Sequence, residues 1–108
     1  IEEVHHTRKL DAPSGTAISL AQGISSEHDG YAEWCFETDK KESGIPIRSV
    51  REGDVPGIHT VEWDSDIDTL SLRHEAKSRK GFALGAVVAA EFIQSRKGIF
   101  TMSDVMGF

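Results

Sequence analysis

The sequence EVHHTRKLDAPSGTAISLAQGI, residues 3–24, contains a strand, a polar loop and the start of a helix in close succession. Residues 1–5 are compatible with a short β-strand, and the polar residues that follow end at Pro13. Apolar residues then recur at positions i, i+3, i+4 and i+7 between Ala17 and Ile24, which predicts an amphipathic helix. Ser14 is the predicted N-cap, because its hydroxyl can accept a hydrogen bond from a free amide of the first turn.

Downstream of this helix, strand-like runs alternate with turn residues. Breaks rich in glycine, aspartate and proline separate these runs. A polar turn is expected over residues 25–30, before the first of them. The predicted strands span residues 31–38, 46–52, 58–64 and 69–76.

The last third of the chain is predicted to be helical. Small and apolar residues fall on one stripe over residues 80–94, and a final single turn with Ser103 as a possible cap is expected within residues 99–108. The order of elements indicates an α+β domain with a mixed, mostly antiparallel sheet of four to five strands and two main helices on one face. The uncovered face is expected to pair with another subunit through Trp34, Phe36, Val61 and Trp63.

Length and composition limit the function classes. A chain of 108 residues predicts one compact domain, and its formal charge of −6 argues against a nucleic-acid partner. The single cysteine, Cys35, is expected to be a buried thiol in a reducing cytoplasm. No apolar run is long enough to cross a membrane. The chain starts without Met in a strand-like run, which suggests a domain excised from a longer protein.

The polar loop carries groups suited to proton transfer and anion binding. Histidines such as His5 and His6 exchange protons near neutral pH, and Lys9 adds a cation and a possible second proton donor. Residues 14–16 at a helix start offer free amides, hydroxyls and the positive end of the helix dipole, while Gly15 lets an anion approach the backbone. This combination favours a site for a carboxylate-bearing substrate, with an acid beside the reacting carbon.

Other interpretations of the same residues remain open at this stage. A pair of histidines before a capped helix is often only a polar loop. Glu3, His5, His6 and Asp11 are possible metal ligands, but no helical ligand spacing or cysteine completes a coordination set, so no metal is assigned. The strand histidines His59 and His74 are expected to be packed or hydrogen-bonded within a sheet.

No Gly-x-Gly-x-x-Gly segment follows a strand anywhere in the chain, so no dinucleotide cradle is assigned to it. A cofactor is therefore expected to be held by another part of a longer protein.

Three segments together resemble one known family. They are ExHHxxKxDAPSGTA at residues 3–17, RxGDxxGxHT at residues 51–60, and HxAxSRxxFAxGA at residues 74–86. The first resembles the signature segment of dihydrodipicolinate reductase, also called 4-hydroxy-tetrahydrodipicolinate reductase, of the diaminopimelate route to lysine. The resemblance implies that residues 1–108 are the C-terminal substrate-binding and tetramerisation domain, and that an N-terminal Rossmann domain for NADH or NADPH is absent from this chain.

The resemblance also implies roles for individual residues in the reduction of a cyclic dicarboxylate to tetrahydrodipicolinate. His5 would be the proton donor and Lys9 the second catalytic group. The substrate carboxylates would be bound by His6, Gly15 and Thr16, in a loop supported by Ser14. Arg79 and Phe82 would face the nicotinamide side of the cleft.

Two further expectations concern the protein as a whole. The isolated domain should be inactive because its nucleotide-binding half is missing, and the complete protein should be a cytoplasmic homotetramer. The alternative function is a non-catalytic oligomerisation module of another Rossmann-type dehydrogenase, in which the segment with the two histidines is incidental.

Overall fold

The structure, a computed structural model, describes all residues from 1 to 108. The chain divides into two compact units, Ile1–Ala76 and Lys77–Phe108. All the fully buried apolar side chains belong to the first unit. The expectation that residues 1–108 form one domain stays a prediction.

The first unit is a five-stranded sheet with one main helix. In chain order its elements are β1 (Glu2–His5), α1 (Gly15–Glu27), β2 (Glu33–Phe36), a 3-10 turn (Glu37–Asp39), β3 (Gly44–Arg51), β4 (Ile58–Asp64) and β5 (Thr69–Glu75). The sheet order is β2-β3-β1-β4-β5, which places β1 at the centre. β1 and β2 each pair with β3 in parallel, while β4 pairs antiparallel with both β1 and β5. The predicted mixed sheet is confirmed, with equal numbers of parallel and antiparallel pairings instead of an antiparallel majority.

Helix α1 begins where the sequence predicts and ends later. Ser14 is its N-cap, and the Ser14 hydroxyl accepts a hydrogen bond from the amide of Ala17. The helix continues through Gly23, so the turn expected over residues 25–30 begins only after Glu27. The hydroxyls of Ser25 and Ser26 donate to carbonyls three residues back, which satisfies acceptors in the last turn.

The core lies between α1 and β3. Ala17 and Ala21 on the helix cluster with Ile45 and Ile47 on the sheet, and all four side chains are at least 95% buried. Alanine on the contacting face lets the helix approach the sheet closely, so the isoleucines fill the remaining space.

The aromatic residues expected on the uncovered face lie instead on the face that receives α1. Trp34 packs against the core and is opposite Ile45 in the sheet register. The ring of Trp63 lies 5.8 Å from that of Tyr31, which also packs on the core. By strand alternation Phe36 and Val61 share this face. The prediction that Trp34, Phe36, Val61 and Trp63 lie on the uncovered face is wrong, because local alternation does not specify which face the helix covers. Their contact with another subunit stays a prediction.

The second unit consists of α2 (Lys80–Ile93) and α3 (Met102–Met106). The predicted second helix is confirmed to within one residue. The cap of α3 is Thr101 instead of Ser103, because Thr101 and Asp104 form a reciprocal capping box. None of the helices has the length and apolar character needed to span a bilayer.

A substitution at Gly44 tests how tightly the residues around the buried Cys35 thiol are packed. A methyl group at Gly44 would lie 2.8 Å from Cys35 Sγ and 3.2 Å from the Lys41 Cβ. Cys35 is buried, as predicted, so its sulfur has little room to move. We expect Gly44→Ala to lower the free energy of unfolding by about 1–3 kcal/mol, measured by urea denaturation.

The matched control is Gly23→Ala. A methyl group at this exposed helical position would meet no atom within 4 Å, and alanine is the better helix former. The same substitution should here raise the free energy of unfolding by about 0.5–1 kcal/mol. Equal changes at the two glycines would contradict this account of the packing.

Candidate functional site

The site is organised around the buried carboxylate of Glu3 in β1. Glu3 and His5 are two residues apart, so their side chains lie on the same face of the strand. His5 Nδ1 lies 2.5 Å from Glu3 Oε2. Arg51, at the end of the neighbouring β3, donates from both terminal nitrogens to the two Glu3 oxygens at 2.9 and 3.0 Å. The Glu3 side chain has no exposed surface, so water cannot stabilise its negative charge. The two hydrogen bonds from Arg51 stabilise that charge instead.

The ion pair keeps Glu3 charged. Burial alone would raise the pKa of Glu3, but hydrogen bonds from Arg51 and His5 outweigh it and leave that pKa below its ordinary value. The sheet register explains the arrangement, because the parallel pairing places His5 opposite Arg51 and Glu3 opposite Ser49.

Ser14 connects the carboxylate to the start of α1. Its amide donates to Glu3 Oε1 at 3.2 Å, and its hydroxyl lies 2.9 Å from His59 Nε2. The ring of His59 stands edge-on to that of His5, with centroids 5.0 Å apart. One serine therefore caps the helix, contacts the buried charge and orients a second imidazole.

The loop between β1 and α1 carries Lys9. Its ammonium lies 2.9 Å from the carboxylate of Asp11, and its amide donates to the carbonyl of His6. Arg51 donates to the Asp11 carbonyl at 2.7 Å, so the residue that compensates Glu3 also holds this loop. His6 is half-buried and directly follows β1.

The start of α1 is open to solvent. Gly15 and Thr16 are exposed, and their amides belong to the first turn, where a helix supplies no acceptor. A methyl group at Gly15 would meet no atom within 4 Å. An anion can therefore reach these amides from outside.

Gly57 lies close to the outer nitrogen of His5. A methyl group at Gly57 would be 3.1 Å from His5 Nε2, tighter than nearly all real contacts of this kind. A side chain at Gly57 would therefore displace the ring of His5.

The structure joins most of the predicted site residues in one network. His5 and Ser14 meet through Glu3, and Lys9 joins them through the loop that Arg51 holds. Gly15 and Thr16 follow Ser14 directly. No group of three or more histidine, cysteine, aspartate or glutamate side chains has a geometry suited to a metal ion.

Arg79 and Phe82 belong to the second unit, where Arg79 precedes α2 and Phe82 is 55% exposed. The role implied for these two residues stays a prediction.

The sequence alone indicated Glu3 only as a possible metal ligand and His59 as a structural residue, and it gave Arg51 no role in the site. The alternation of Glu3 with His5 was a usable signal, because residues two apart in a strand share a face. Arg51 and His59 reach the site through sheet register, which pairs β1 with both β3 and β4.

Comparisons with known proteins agree on one family. The sequence model described as the C-terminus of dihydrodipicolinate reductase matches residues 1–106. The 4-hydroxy-tetrahydrodipicolinate reductase of Christiangramia forsetii is 54% identical over 106 residues, covering 98% of this chain and 44% of the relative. That of Methanosarcina acetivorans is 44% identical over 110 residues, covering 99% and 42%. The chain thus spans less than half the length of these relatives.

A solved structure supports the same fold. Dipicolinate-bound dihydrodipicolinate reductase from Paenisporosarcina sp. TG-14 is similar to 85% of this chain, with a TM-score of 0.64 and 29% sequence identity. The match covers 38% of that protein.

The environment of His59 predicts a pH-dependent stability. Burial lowers the pKa of His59 below its ordinary 6.5, and the neighbouring His5 adds to this effect. As pH falls towards and below about 6.5, the unfolded chain binds a proton at this residue more readily than the folded chain does, so the free energy of unfolding should fall as pH is lowered from about 7.5 to 5.5. Urea denaturation across this range should show a smaller fall for His59→Gln, whose amide can still bond to Ser14.

The control is His28→Gln, which makes the same change at an exposed histidine and should keep the wild-type pH dependence. Glu3 does not account for the effect in this window, because its stabilising contribution is present above its ordinary pKa of 4.5 and is lost only as pH falls through its lowered pKa. An unchanged slope in His59→Gln would contradict the assignment.

Proposed function

This chain belongs to the family of dihydrodipicolinate reductase C-terminal domains, and from that premise we propose that it forms the substrate-binding half of a 4-hydroxy-tetrahydrodipicolinate reductase. The observation that carries the proposal is the position of His5. Its ring is held by a buried carboxylate on one side, and that same carboxylate accepts the Ser14 amide at the start of a helix open to anions.

The substrate class follows from the chemistry of the helix start. Exposed amides at the N-terminus of α1 and the nearby Lys9 suit a carboxylate, and the similar solved structure has dipicolinate bound. We propose that a cyclic dicarboxylate binds with one carboxylate on Gly15 and Thr16, and that His6 contributes to carboxylate binding. Ser14 supports this loop through its cap and its bond to Glu3.

His5 and Lys9 are assigned the proton chemistry. Since Nδ1 of His5 is engaged by Glu3, Nε2 is the nitrogen that can hold and release a proton. We propose that the 4-hydroxyl of the substrate leaves as water to give a conjugated ring, and that Nε2 then protonates the ring carbon next to the carbon that receives hydride. Lys9 stabilises the negative charge that develops during the reduction.

The hydride is proposed to come from NADH or NADPH. The turn from β1 to α1 in this chain is a nine-residue charged loop without the glycine pattern of a dinucleotide cradle, so the residues present do not form such a cradle. We therefore assign the nucleotide mainly to an N-terminal Rossmann domain in the rest of the protein. Arg79 and Phe82 are proposed to contact its nicotinamide side.

The family also supports a homotetrameric, cytoplasmic protein. Sedimentation of the full-length protein tests the assembly, and a monomer would contradict it. The 108-residue chain alone is proposed to lack reductase activity.

The role of His5 predicts a selective kinetic defect. His5→Ala in the full-length reductase should lower kcat by about 100-fold or more while the KM for the dicarboxylate changes little, because proton delivery is lost and carboxylate binding is kept. Steady-state assays that follow nucleotide oxidation measure both constants. The exposed His28→Ala variant is the matched control and should keep the wild-type kcat.

Substrate binding predicts a separable loss of affinity. Thr16→Val preserves shape and removes a hydroxyl, so it should weaken binding of pyridine-2,6-dicarboxylate by about 10-fold, as expected for a lost hydrogen bond to a charged group. Isothermal titration of the full-length protein with bound nucleotide measures this affinity.

Ser19→Ala removes an exposed hydroxyl further along α1 and should leave the affinity unchanged. Equal affinities for wild type and Thr16→Val would count against this carboxylate site.

A further inference from the structure

We propose that Glu3 is a positioning residue that fixes the proton donor His5 and the start of helix α1 through the two oxygens of one buried carboxylate. This inference rests on the proposed function, because it takes His5 as the proton donor. It assigns a role in the reaction to a residue that has no exposed surface.

The first oxygen determines which nitrogen of His5 is available. Glu3 Oε2 accepts from His5 Nδ1 at 2.5 Å, so the proton on Nδ1 is held in this bond. The nitrogen at the other edge of the ring, Nε2, lies on the side of Gly57, where a methyl group would be 3.1 Å away. A carboxylate that binds one ring nitrogen selects the tautomer of the imidazole and fixes the direction in which the other nitrogen points.

The second oxygen fixes the anion-binding end of α1. Glu3 Oε1 accepts from the amide of Ser14, which is the residue that caps the helix. The distance between the imidazole and the free amides of Gly15 and Thr16 is therefore set by one rigid carboxylate. Productive geometry requires both ends of the substrate to be held at a fixed separation, and a shared anchor provides this.

Arg51 keeps this anchor charged and in place. Its guanidinium makes a parallel pair of hydrogen bonds to the two Glu3 oxygens, a geometry that resists rotation of the carboxylate. Glu3 also accepts hydrogen bonds from His5 Nδ1 and from the Ser14 amide. With the two from Arg51, its carboxylate accepts four hydrogen bonds in all.

The test is Glu3→Gln in the full-length reductase, with bound nucleotide and dicarboxylate substrate. We expect kcat to fall by about 100-fold, because a neutral amide neither balances a protonated His5 nor accepts from all four donors. We also expect the solvent deuterium isotope effect on kcat to increase, because proton delivery becomes the slow step. A purely structural role would lower the amount of active enzyme and leave that isotope effect unchanged.

The matched control is Glu2→Gln. Glu2 is the adjacent residue of the same strand, points to the opposite face and pairs with Arg48 at 3.3 Å. The same chemical change one residue away should leave both kcat and the isotope effect at their wild-type values.

A second variant covers the case in which Glu3→Gln does not fold. Glu3→Asp keeps the negative charge for Arg51 and should fold, but its shorter side chain draws the carboxylate away from His5. It should show a reduced kcat and a larger solvent isotope effect. A folded Glu3→Gln or Glu3→Asp enzyme with the kinetics of Glu2→Gln would overturn the inference and leave the proposed function standing, whereas a wild-type protein without reductase activity would overturn the function itself.

Discussion

A charged carboxylate without access to water is stable only if donors in the protein replace the lost hydration, and the first unit of this chain is arranged around that requirement. Glu3 receives donors from a side chain of β3, from a side chain of its own strand and from the backbone at the start of α1. Each of these elements is therefore fixed relative to β1. Removing any one donor would leave a buried charge incompletely compensated, so the ion pair with Arg51 constrains the sheet, the helix and the loop between them together.

The position of β1 in the sheet explains why the functional groups of the site lie at one end of this strand. β1 is the central strand, parallel to β3 and antiparallel to β4, so residues from both neighbours reach its carboxyl end. The strand is followed by a loop and a helix N-terminus, which places imidazole, ammonium and free amides in sequence at the same edge. Ligands commonly bind at the carboxyl ends of strands in sheets with parallel pairings, and here that position coincides with the buried ion pair.

Features encoded by neighbouring residues could be predicted from the sequence, and features that depend on strand pairing could not. The hydroxyl of Ser14, the apolar spacing of α1 and the run of β4 are local signals, and all three are confirmed. The contact of Glu3 with Arg51 joins residues 48 positions apart and follows only from parallel register. Likewise, alternation indicated which aromatic residues share a face but not that α1 packs on that face.

The two ion pairs of the site differ in what it costs to separate them, and this difference determines which cation can serve a substrate. Glu3 and Arg51 have 0% and 20% of their side chains exposed, so separation would leave a buried charge uncompensated. Lys9 and Asp11 are 22% and 62% exposed, and an ion pair with such a solvated carboxylate contributes little stability. On the proposed function, an incoming carboxylate can therefore take Lys9 from Asp11, whose charge water then solvates. Arg51 stays with Glu3, which keeps the anchor of His5 intact while the substrate binds.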